Sequence, residues 1–370
     1  MTDERTASTF GCIVYDGVIA EWAESGVIRS FPRFPAAALS LSNRPLMNAS
    51  FSNVRALQRA VTRHVITRDG HRIAFAVAGA HDGVPVAVLH GGPGSASAMS
   101  VLARFDLARC RVVLIDQRGA GASRPRGSLR HNRTDRLVGD MEAVRERLGF
   151  ARWGIVGGSW GAALALAYAG AHPQRVTGVV LRGLFLASRR EVRGLFIGSR
   201  GRAPHAWRAL MRAAHCDRPA ALVACCERAL RQGAPWGRQR GVALAWSDYE
   251  DAVLASAHIG RPRGTARRTR AGHANALRLT KKYRIQAHYL THDCWLGERR
   301  LLSLARRAAM NGIPLAAVHG MRDPVCPPGN LRRLARAVPN VRLTRVDAGH
   351  LGSEPALAAS LAEAIRAMFG

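Results

Sequence analysis

A serine between glycines is the first candidate for chemistry in this sequence. Residues 157–161 read Gly-Gly-Ser-Trp-Gly, a G-x-S-x-G pattern between an apolar run and a helical pattern. A sharp turn from a strand into a helix needs small neighbours, and it lifts the serine hydroxyl towards the helix N-terminus, where it can be deprotonated. The alternative is a Gly/Ser turn that only closes the strand. We predict Ser159 as a nucleophile.

An acid and a base follow later in the chain, each just beyond an apolar run. They are Asp323 and His350, so the chain order is serine, acid, histidine. His350 would take the proton from Ser159, and Asp323 would hold the imidazole in the tautomer that this transfer needs. Asp347 is a competing acid, but it lies so near His350 in sequence that we expect it to cap the turn.

A glycine-rich segment, His-Gly-Gly-Pro-Gly at residues 90–94, follows another apolar run. A developing oxyanion needs two backbone N–H donors at a place that the chain can approach without side chains. We predict the amides of Gly92 and Trp160 as these donors. The alternative is a connection that binds nothing; a phosphate cradle is excluded because no G-x-x-x-x-G-K-[ST] pattern is present.

Apolar runs and helical patterns alternate after residue 61. The runs span residues 84–89, 111–115, 153–156, 176–181, 313–318 and 341–346. The helical patterns span residues 135–148, 160–171 and 330–337. Two further runs, at 64–67 and 72–77, predict a hairpin across Asp69 and Gly70. The fold class is therefore α/β, with a mostly parallel sheet and helices on both faces.

The distribution of these apolar runs and helical patterns divides the chain into four parts. Residues 1–60 show no sustained period, so we expect a poorly ordered N-terminal extension. Residues 61–183 and 310–370 form the two parts of the α/β core, and residues 184–309 form an inserted helical cap over the carboxyl ends of the strands. We also consider Met47 as an alternative natural start of the chain.

Charge raises the question of nucleic acid, because 55 Lys and Arg against 25 Asp and Glu give a net charge of +30. The arginines are scattered through most of the sequence, including amphipathic helical patterns. The densest basic stretch, residues 261–270, has no aromatic residue that could stack on a base, so it is typical of a solvated loop. Nucleic-acid binding is disfavoured.

Cysteine usage favours a reducing compartment. The chain has 7 cysteines, which is an odd count, and none of them has Cys-x-x-Cys spacing. These two features argue against both a disulfide framework and a zinc site. No signal-peptide pattern opens the chain, so a cytoplasmic protein is expected. Residues 154–174 lack charges, but their glycines and serine favour a buried strand and helix over a membrane span. We expect no metal, no cofactor and no membrane contact.

These residues resemble the proline iminopeptidase (prolyl aminopeptidase) family of the α/β-hydrolase superfamily from about residue 63 to the end. The matching stretches also include residues 116–123, 153–168, 181–186 and 325–327. The resemblance implies the α/β-hydrolase fold and hydrolysis of the bond after an N-terminal proline, in a small peptide or proline amide. Within the first stretch, Asp116 and Arg118 are expected to form a charge pair that braces the oxyanion segment.

The resemblance also implies two cap carboxylates that hold the imino group of the substrate. Residues 246–250 match the family's Trp-Ser-x-Trp-Glu, which makes Glu250 one of them; the second falls in Arg-Ile-Glu-x-His-Tyr, where this chain has Gln286. The family's Trp is Gly194 here. Phe185 and Phe196 are candidate ring contacts, although an aromatic residue at helical spacing is more often part of a core.

Two alternatives to a proline iminopeptidase stay open. An amidase or esterase of relaxed specificity on the same scaffold is favoured by Gln286, because an amide in place of a carboxylate forfeits a charge-assisted contact. A catalytically silent basic protein that binds nucleic acid or an acidic partner is disfavoured, because it has no reason to keep the serine, acid and histidine. Epoxide hydrolase and dehalogenase chemistry is disfavoured by Ser159, since those reactions need an Asp nucleophile.

Overall fold

A computed structural model divides the chain into two compact units, Met1–Ala49 and Ser50–Gly370. It describes the two strands of the first unit, residues 61–257 and residues 272–370. In the first unit, strands β1 (Gly11–Tyr15) and β2 (Val18–Trp22) pair antiparallel.

Three expectations from the sequence concern the ends of these ranges. The β1–β2 hairpin lies within the expected extension 1–60, where no alternating pattern predicts it. The alternative start at Met47 and the basic stretch 261–270 lie outside the described residues.

The second unit is built on an eight-stranded sheet with the order β10-β9-β8-β7-β5-β6-β4-β3. Its strands are β3 (Val61–Ile66), β4 (Arg72–Gly79), β5 (Val84–Leu89), β6 (Cys110–Ile115), β7 (Trp153–Gly158), β8 (Val176–Arg182), β9 (Leu315–Gly320) and β10 (Arg342–Val346). Strands β3 and β4 form an antiparallel hairpin, and β4 also pairs antiparallel with β6. Every other neighbouring pair in this sheet is parallel. The predicted hairpin and the predicted fold class are confirmed.

Burial explains why the central strands read as continuous apolar runs. Every residue of β9 is buried, and only the last residue of β7 is not. A parallel strand covered on both faces needs apolar side chains on both, so alternation disappears. Strand β10, at the edge of the sheet, is largely exposed and carries Arg342 and Arg345.

Helices cover the sheet and build a second core. They are α1 (Thr134–Arg147), α2 (Trp160–Ala171), α3 (Arg189–Phe196), α4 (Pro204–Ala213), α5 (Leu222–Leu230), α6 (Trp236–Ala255), α7 (His273–Thr291), α8 (Gly297–Met310), α9 (Gly329–Ala337) and α10 (Pro355–Phe369). Helices α1, α2, α8, α9 and α10 bury apolar residues against the sheet. Helices α3 to α7 bury apolar residues in a separate cluster, the cap core, although Ile285 and Tyr289 of α7 belong to the main core against the sheet.

Helix α8 lies almost wholly within the range 184–309 that the sequence assigns to the cap, yet it packs on α2 of the sheet domain. Its Leu301 and Ala305 are fully buried in the main core. A Cβ atom on Gly170 would lie 2.5 Å from the Cβ of Leu304, so this glycine permits the close approach of the two helices. The amphipathic pattern of α8 does not distinguish packing on the sheet domain from packing in a cap.

The uncharged stretch 154–174 forms β7 and the buried helix α2, as predicted. Among the described residues, no helix combines the length and apolar character that crossing a membrane requires.

Candidate active site

Ser159 occupies the turn between β7 and α2 in a backbone conformation that side chains rarely adopt, with φ 57° and ψ −120°. Its glycine neighbours explain how the turn closes. A Cβ on Gly157 would lie 2.2 Å from the carbonyl oxygen of Gly161, and one on Gly161 would lie 2.2 Å from that of Leu89. Only glycine fits these two positions, so the G-x-S-x-G pattern follows from packing as well as from the turn.

Asp323 and His350 form a buried hydrogen-bonded pair. His350 Nδ1 lies 2.6 Å from Asp323 Oδ2, while Asp323 Oδ1 accepts the backbone N–H groups of Val325 and Cys326, both at 2.8 Å. Burial raises the pKa of Asp323, but the charge and hydrogen bond of His350 outweigh it, so this pKa lies below its ordinary value. The carboxylate is therefore held ionised beside the imidazole.

Ser159 lies at the carboxyl edge of neighbouring strands, next to the segment that holds Asp323. The N–H of Ser159 donates to the carbonyl oxygen of Arg182, at the end of β8, over 2.8 Å. Ser159 Oγ lies 3.9 Å from Cys326 Sγ, and the amide of Cys326 is one of those that hold Asp323. A Cβ on Gly183 would lie 3.3 Å from the His350 ring, so glycine is needed there.

The side chains of Glu354 and Arg182 hold the backbone on both sides of His350, whereas the side chain of Asp347 does not. Glu354 accepts the N–H groups of Gly349 and Leu351 at 2.8 and 3.0 Å, and Arg182 Nη1 donates to the carbonyl oxygen of His350 at 2.7 Å. The exposed Asp347 instead pairs with Arg322. The expectation that Asp347 caps this turn is wrong because Glu354, from the start of α10, takes the amides.

The glycine-rich segment 90–94 lies directly on the nucleophile turn. Gly92 has φ +42°, and a Cβ on Gly91 would lie 3.2 Å from Ser159 Cβ. Trp160 is the first residue of α2, a position whose backbone N–H has no partner within a helix. Trp160 thus directly follows Ser159, and Gly92 belongs to the segment that contacts Ser159 through Gly91.

Gln117 connects the two sides of this site, a role that no pattern in the sequence predicts. Its Nε2 donates to the carbonyl oxygen of His90 at 2.9 Å, and its Oε1 accepts the indole N–H of Trp160 at 2.8 Å. Its own amide donates to His90 Nε2 at 3.1 Å. A glutamine just after a strand is common in loops, so its position alone carried no signal.

Asp116 and Arg118 do not pair with each other, contrary to the expectation from the sequence. Asp116 accepts the N–H groups of Ser97 and Ala122 at 2.8 and 2.7 Å, and so braces the chain beyond the glycine-rich segment. Arg118 pairs with Asp140 of α1 and with Asp69, both at 2.6 Å. The expectation fails for two reasons. The carboxylate of Asp116 is the hydrogen-bond acceptor for two nearby backbone amides, and Arg118 has a buried carboxylate, Asp140, within reach on α1.

Glu250 on α6 is surrounded by donors from the two cap helices. Its Oε1 accepts from Trp246 Nε1 at 3.1 Å and from Gln286 Nε2 at 2.6 Å. Its Oε2 accepts from the hydroxyl of Tyr283 at 2.9 Å and from Lys282 Nζ at 3.1 Å. Burial raises the pKa of Glu250, but Lys282 and these hydrogen bonds outweigh it, so the pKa lies below its ordinary value.

Known proteins resemble this chain in both sequence and fold. A family model described as alpha/beta hydrolase fold matches residues 84–202. The proline iminopeptidase of Neisseria gonorrhoeae is 34% identical over 302 residues, which cover 80% of this chain and 92% of that relative. The proline iminopeptidase of Xylella fastidiosa (strain Temecula1) is 36% identical over 290 residues, 78% of this chain and 90% of the relative. This chain belongs to the proline iminopeptidase family.

Structural similarity agrees on the fold. The crystal structure of the esterase RhEst1 from Rhodococcus aligns with a TM-score of 0.54 at 21% identity, covering 84% of this chain and 99% of that one. At this identity the likeness concerns the α/β-hydrolase fold alone.

The predicted substrate contacts of this proline iminopeptidase family member lie in different surroundings. Gln286 lies beside the oxyanion segment, since a Cβ on Gly92 would lie 3.7 Å from Gln286 Oε1. Phe185 is half-buried against the main core. Phe196 packs edge-on against Trp246 at 5.2 Å in the cap core. Phe196 therefore has the core role that its spacing allowed.

The described residues offer two groups of potential metal ligands. One is Asp323, Cys326 and His350, but there the histidine is already hydrogen-bonded to the aspartate. The other is Glu227, His288 and His292, where His292 Nδ1 lies 2.8 Å from the carbonyl oxygen of His288 and must donate to it. That nitrogen has no lone pair to offer, so a metal ion at this group would have to bind the other ring nitrogen of His292.

Proposed function

We propose that this chain is a serine peptidase that releases N-terminal proline from small peptides and proline amides through an acyl-enzyme. One observation carries the proposal: Ser159 stands on a strained turn beside the buried Asp323–His350 pair. Membership of the proline iminopeptidase family supports the choice of substrate. The chemistry needs no metal or cofactor.

In the first half of the reaction, Ser159 Oγ attacks the prolyl carbonyl carbon while His350 Nε2 accepts the hydroxyl proton. Asp323 binds the other ring nitrogen, so it fixes the tautomer and stabilises the imidazolium that forms. The C–N bond then breaks as His350 returns the proton to the leaving amine. The product of this half is a prolyl ester of Ser159 and a free amine.

The negative charge that develops on the carbonyl oxygen needs donors that are in place beforehand. We assign this role to the backbone N–H groups of Gly92, whose neighbour Gly91 contacts Ser159, and of Trp160, the residue after Ser159. Gln117 positions both sides through His90 and the Trp160 indole. In the second half, water activated by His350 attacks the ester and releases proline.

The cap supplies the substrate contacts in this proposal. Helices α3 to α7 have a core of their own, and α7 touches the glycine-rich segment: a Cβ on Gly94 would lie 2.5 Å from the carbonyl oxygen of Lys282. Glu250 and Gln286 would face the ring nitrogen, and Phe185 would contact the apolar ring. Residues 184–296 are the proposed extent of the cap, since α8 packs on the sheet domain.

A relaxed amidase or esterase is the second candidate, favoured by Gln286 in place of a carboxylate. The discriminating experiment measures hydrolysis of prolyl 4-nitroanilide, alanyl 4-nitroanilide and a short acyl ester by the wild type and Ser159→Ala. Preference for the prolyl anilide, lost in the variant, supports the peptidase. Turnover of the ester alone would support Ser159 as the nucleophile but contradict N-terminal proline as the substrate.

We also propose the cytoplasm as the place of action. The six cysteines in the described part of the chain are free and buried, as in proteins kept in a reducing compartment. Fractionation of the native host cells, followed by detection of the protein, tests this proposal.

A further inference from the structure

The cap carboxylate that would bind a cationic substrate already has a cationic partner inside the protein. Lys282 Nζ lies 3.1 Å from Glu250 Oε2, and 4.4 Å from the centre of the Tyr283 ring. Both charged side chains are largely shielded, with 21% and 17% of their surfaces exposed. Glu250 and Lys282 together carry no net charge, and the uncharged Gln286 completes the cluster.

The donors around Glu250 leave it little capacity for a substrate. A carboxylate has about four lone-pair positions. Trp246 and Gln286 donate to one oxygen, while Lys282 and Tyr283 donate to the other. A substrate amine would therefore have to displace one of these donors.

Gln286, in contrast, has an unused acceptor. Because Glu250 only accepts hydrogen bonds, the Gln286 amide must turn its NH₂ group to Glu250, and its oxygen then points the other way. This Oε1 is buried without a hydrogen-bond partner and lies beside Gly92. A buried acceptor without a partner destabilises the protein, so a ligand with an N–H group at this place would be favoured.

We propose that the Lys282–Glu250–Gln286 cluster makes the ring subsite electrically neutral, so that the enzyme also releases N-terminal pyroglutamate. The inference rests on the proposed function, because it uses the same nucleophile and the same subsite. Pyroglutamate has the five-membered ring of proline, but its lactam nitrogen is uncharged and carries one N–H. That N–H donates to Gln286 Oε1, whereas a prolyl ammonium would bring a positive charge next to Lys282.

The chemical step is the same as for proline. Ser159 Oγ forms a bond to the pyroglutamyl carbonyl, the bond to the leaving amine breaks, and His350 carries the proton from Ser159 to that amine. Water then hydrolyses the ester. No oxidant, reductant or other co-reactant is needed.

The test compares 4-nitroanilides of three rings at about pH 6.5, where a prolyl amine is mostly protonated. The probes are the prolyl ring with its charge, the pyroglutamyl ring with an uncharged N–H, and the cyclopentanecarbonyl ring with neither. For the wild type we expect kcat/KM for the pyroglutamyl probe to equal or exceed that for the prolyl probe. It should exceed that for the cyclopentanecarbonyl probe by about tenfold, the value of one hydrogen bond to a buried acceptor.

Lys282→Met tests the role of charge, because it removes the cation that pairs with Glu250. The prolyl-to-pyroglutamyl ratio of kcat/KM should rise about tenfold to a hundredfold, as expected for a new charge-assisted contact. Lys281→Met is the matched control: it removes the same charge from the preceding residue of α7, and the ratio should not change. Gln286→Met removes the acceptor and should abolish the advantage of the pyroglutamyl over the cyclopentanecarbonyl probe.

The outcomes separate this inference from the proposed function. Cleavage of the prolyl probe without the pyroglutamyl probe, or a ratio that Lys282→Met leaves unchanged, overturns the inference and keeps the function. Cleavage of the pyroglutamyl probe alone keeps the inference and overturns the release of proline. Failure with both rings, when an acyl ester is still hydrolysed, overturns both.

Discussion

The strand-end site and the cap cluster are both polar and buried, but they are held in different ways. Around Ser159, Asp323 and His350, most fixing contacts are made to or from the backbone at the ends of β7 to β10. Around Glu250 every hydrogen bond named above joins one side chain to another; three cross from α7 to α6, and the one from Trp246 lies within α6. The first arrangement is tied to the fold itself. The second can change with one or two substitutions while the fold persists.

This difference locates reactivity and selectivity in separate parts of the molecule. A substitution at the strand ends should remove activity towards every substrate, since it acts on the reacting atoms. A substitution in the cap should change the ratio between substrates and leave the reaction itself in place.

The largest expected effect is that of Ser159→Ala. It removes the attacking oxygen, so kcat for prolyl 4-nitroanilide and for an acyl ester should both fall at least about 10⁴-fold. The midpoint of thermal unfolding should change little. Ser159→Gly should be equally inactive but more stable than the alanine variant by about 1 kcal/mol, because glycine relieves the φ of 57°. Equal loss of stability in both variants would mean that the turn stores no strain.

The next largest effect is expected for Asp323→Asn. An amide can present its NH₂ group to His350 Nδ1, which fixes the wrong tautomer, so kcat should fall about 10³- to 10⁴-fold. Asp347→Asn is the matched control, because Asp347 lies three residues from His350 in sequence but is exposed and pairs with Arg322. If activity were lost in Asp347→Asn and kept in Asp323→Asn, Asp347 and not Asp323 would be the acid that orients His350.

The contrast also explains what the sequence could and could not predict. Ser159, Asp323 and His350 each come just after a strand, and parallel strands end at one edge, so their order along the chain indicates a common site. The Lys282–Glu250 pair joins residues 32 positions apart on two helices, and no local pattern indicates which lysine faces which carboxylate. Gln117 was missed for a related reason, because it contacts the backbone of His90 in another loop. Glu354 contacts amides close to it in sequence, but no local pattern distinguishes it from Asp347 as the residue that holds this turn.

Arg182→Met should have a moderate effect on the strand-end site. Arg182 holds the carbonyl oxygen of His350, so its loss should displace the imidazole and lower kcat about tenfold with little change in KM. Arg152→Met is the control, since Arg152 donates to the carbonyl oxygen of Val176 at the other end of β8, over 2.6 Å. In steady-state assays, Arg152→Met should have the same kcat as the wild type. A fall in stability without a fall in kcat in Arg182→Met would make Arg182 purely structural.

The smallest effect is expected on the cap side, for Gly194→Trp. A Cβ on Gly194 would meet no atom within 4 Å, so α3 has room for a large side chain at this position. If that side chain forms one wall of the ring pocket, the prolyl-to-alanyl ratio of kcat/KM should rise about three- to tenfold, while ester hydrolysis should stay unchanged. Gly194→Ala separates this effect from helix propensity, because it should stabilise α3 by about 0.5–1 kcal/mol without moving the ratio. A ratio that moves equally in both variants would show that helix stability, and not the wall, sets the preference for proline.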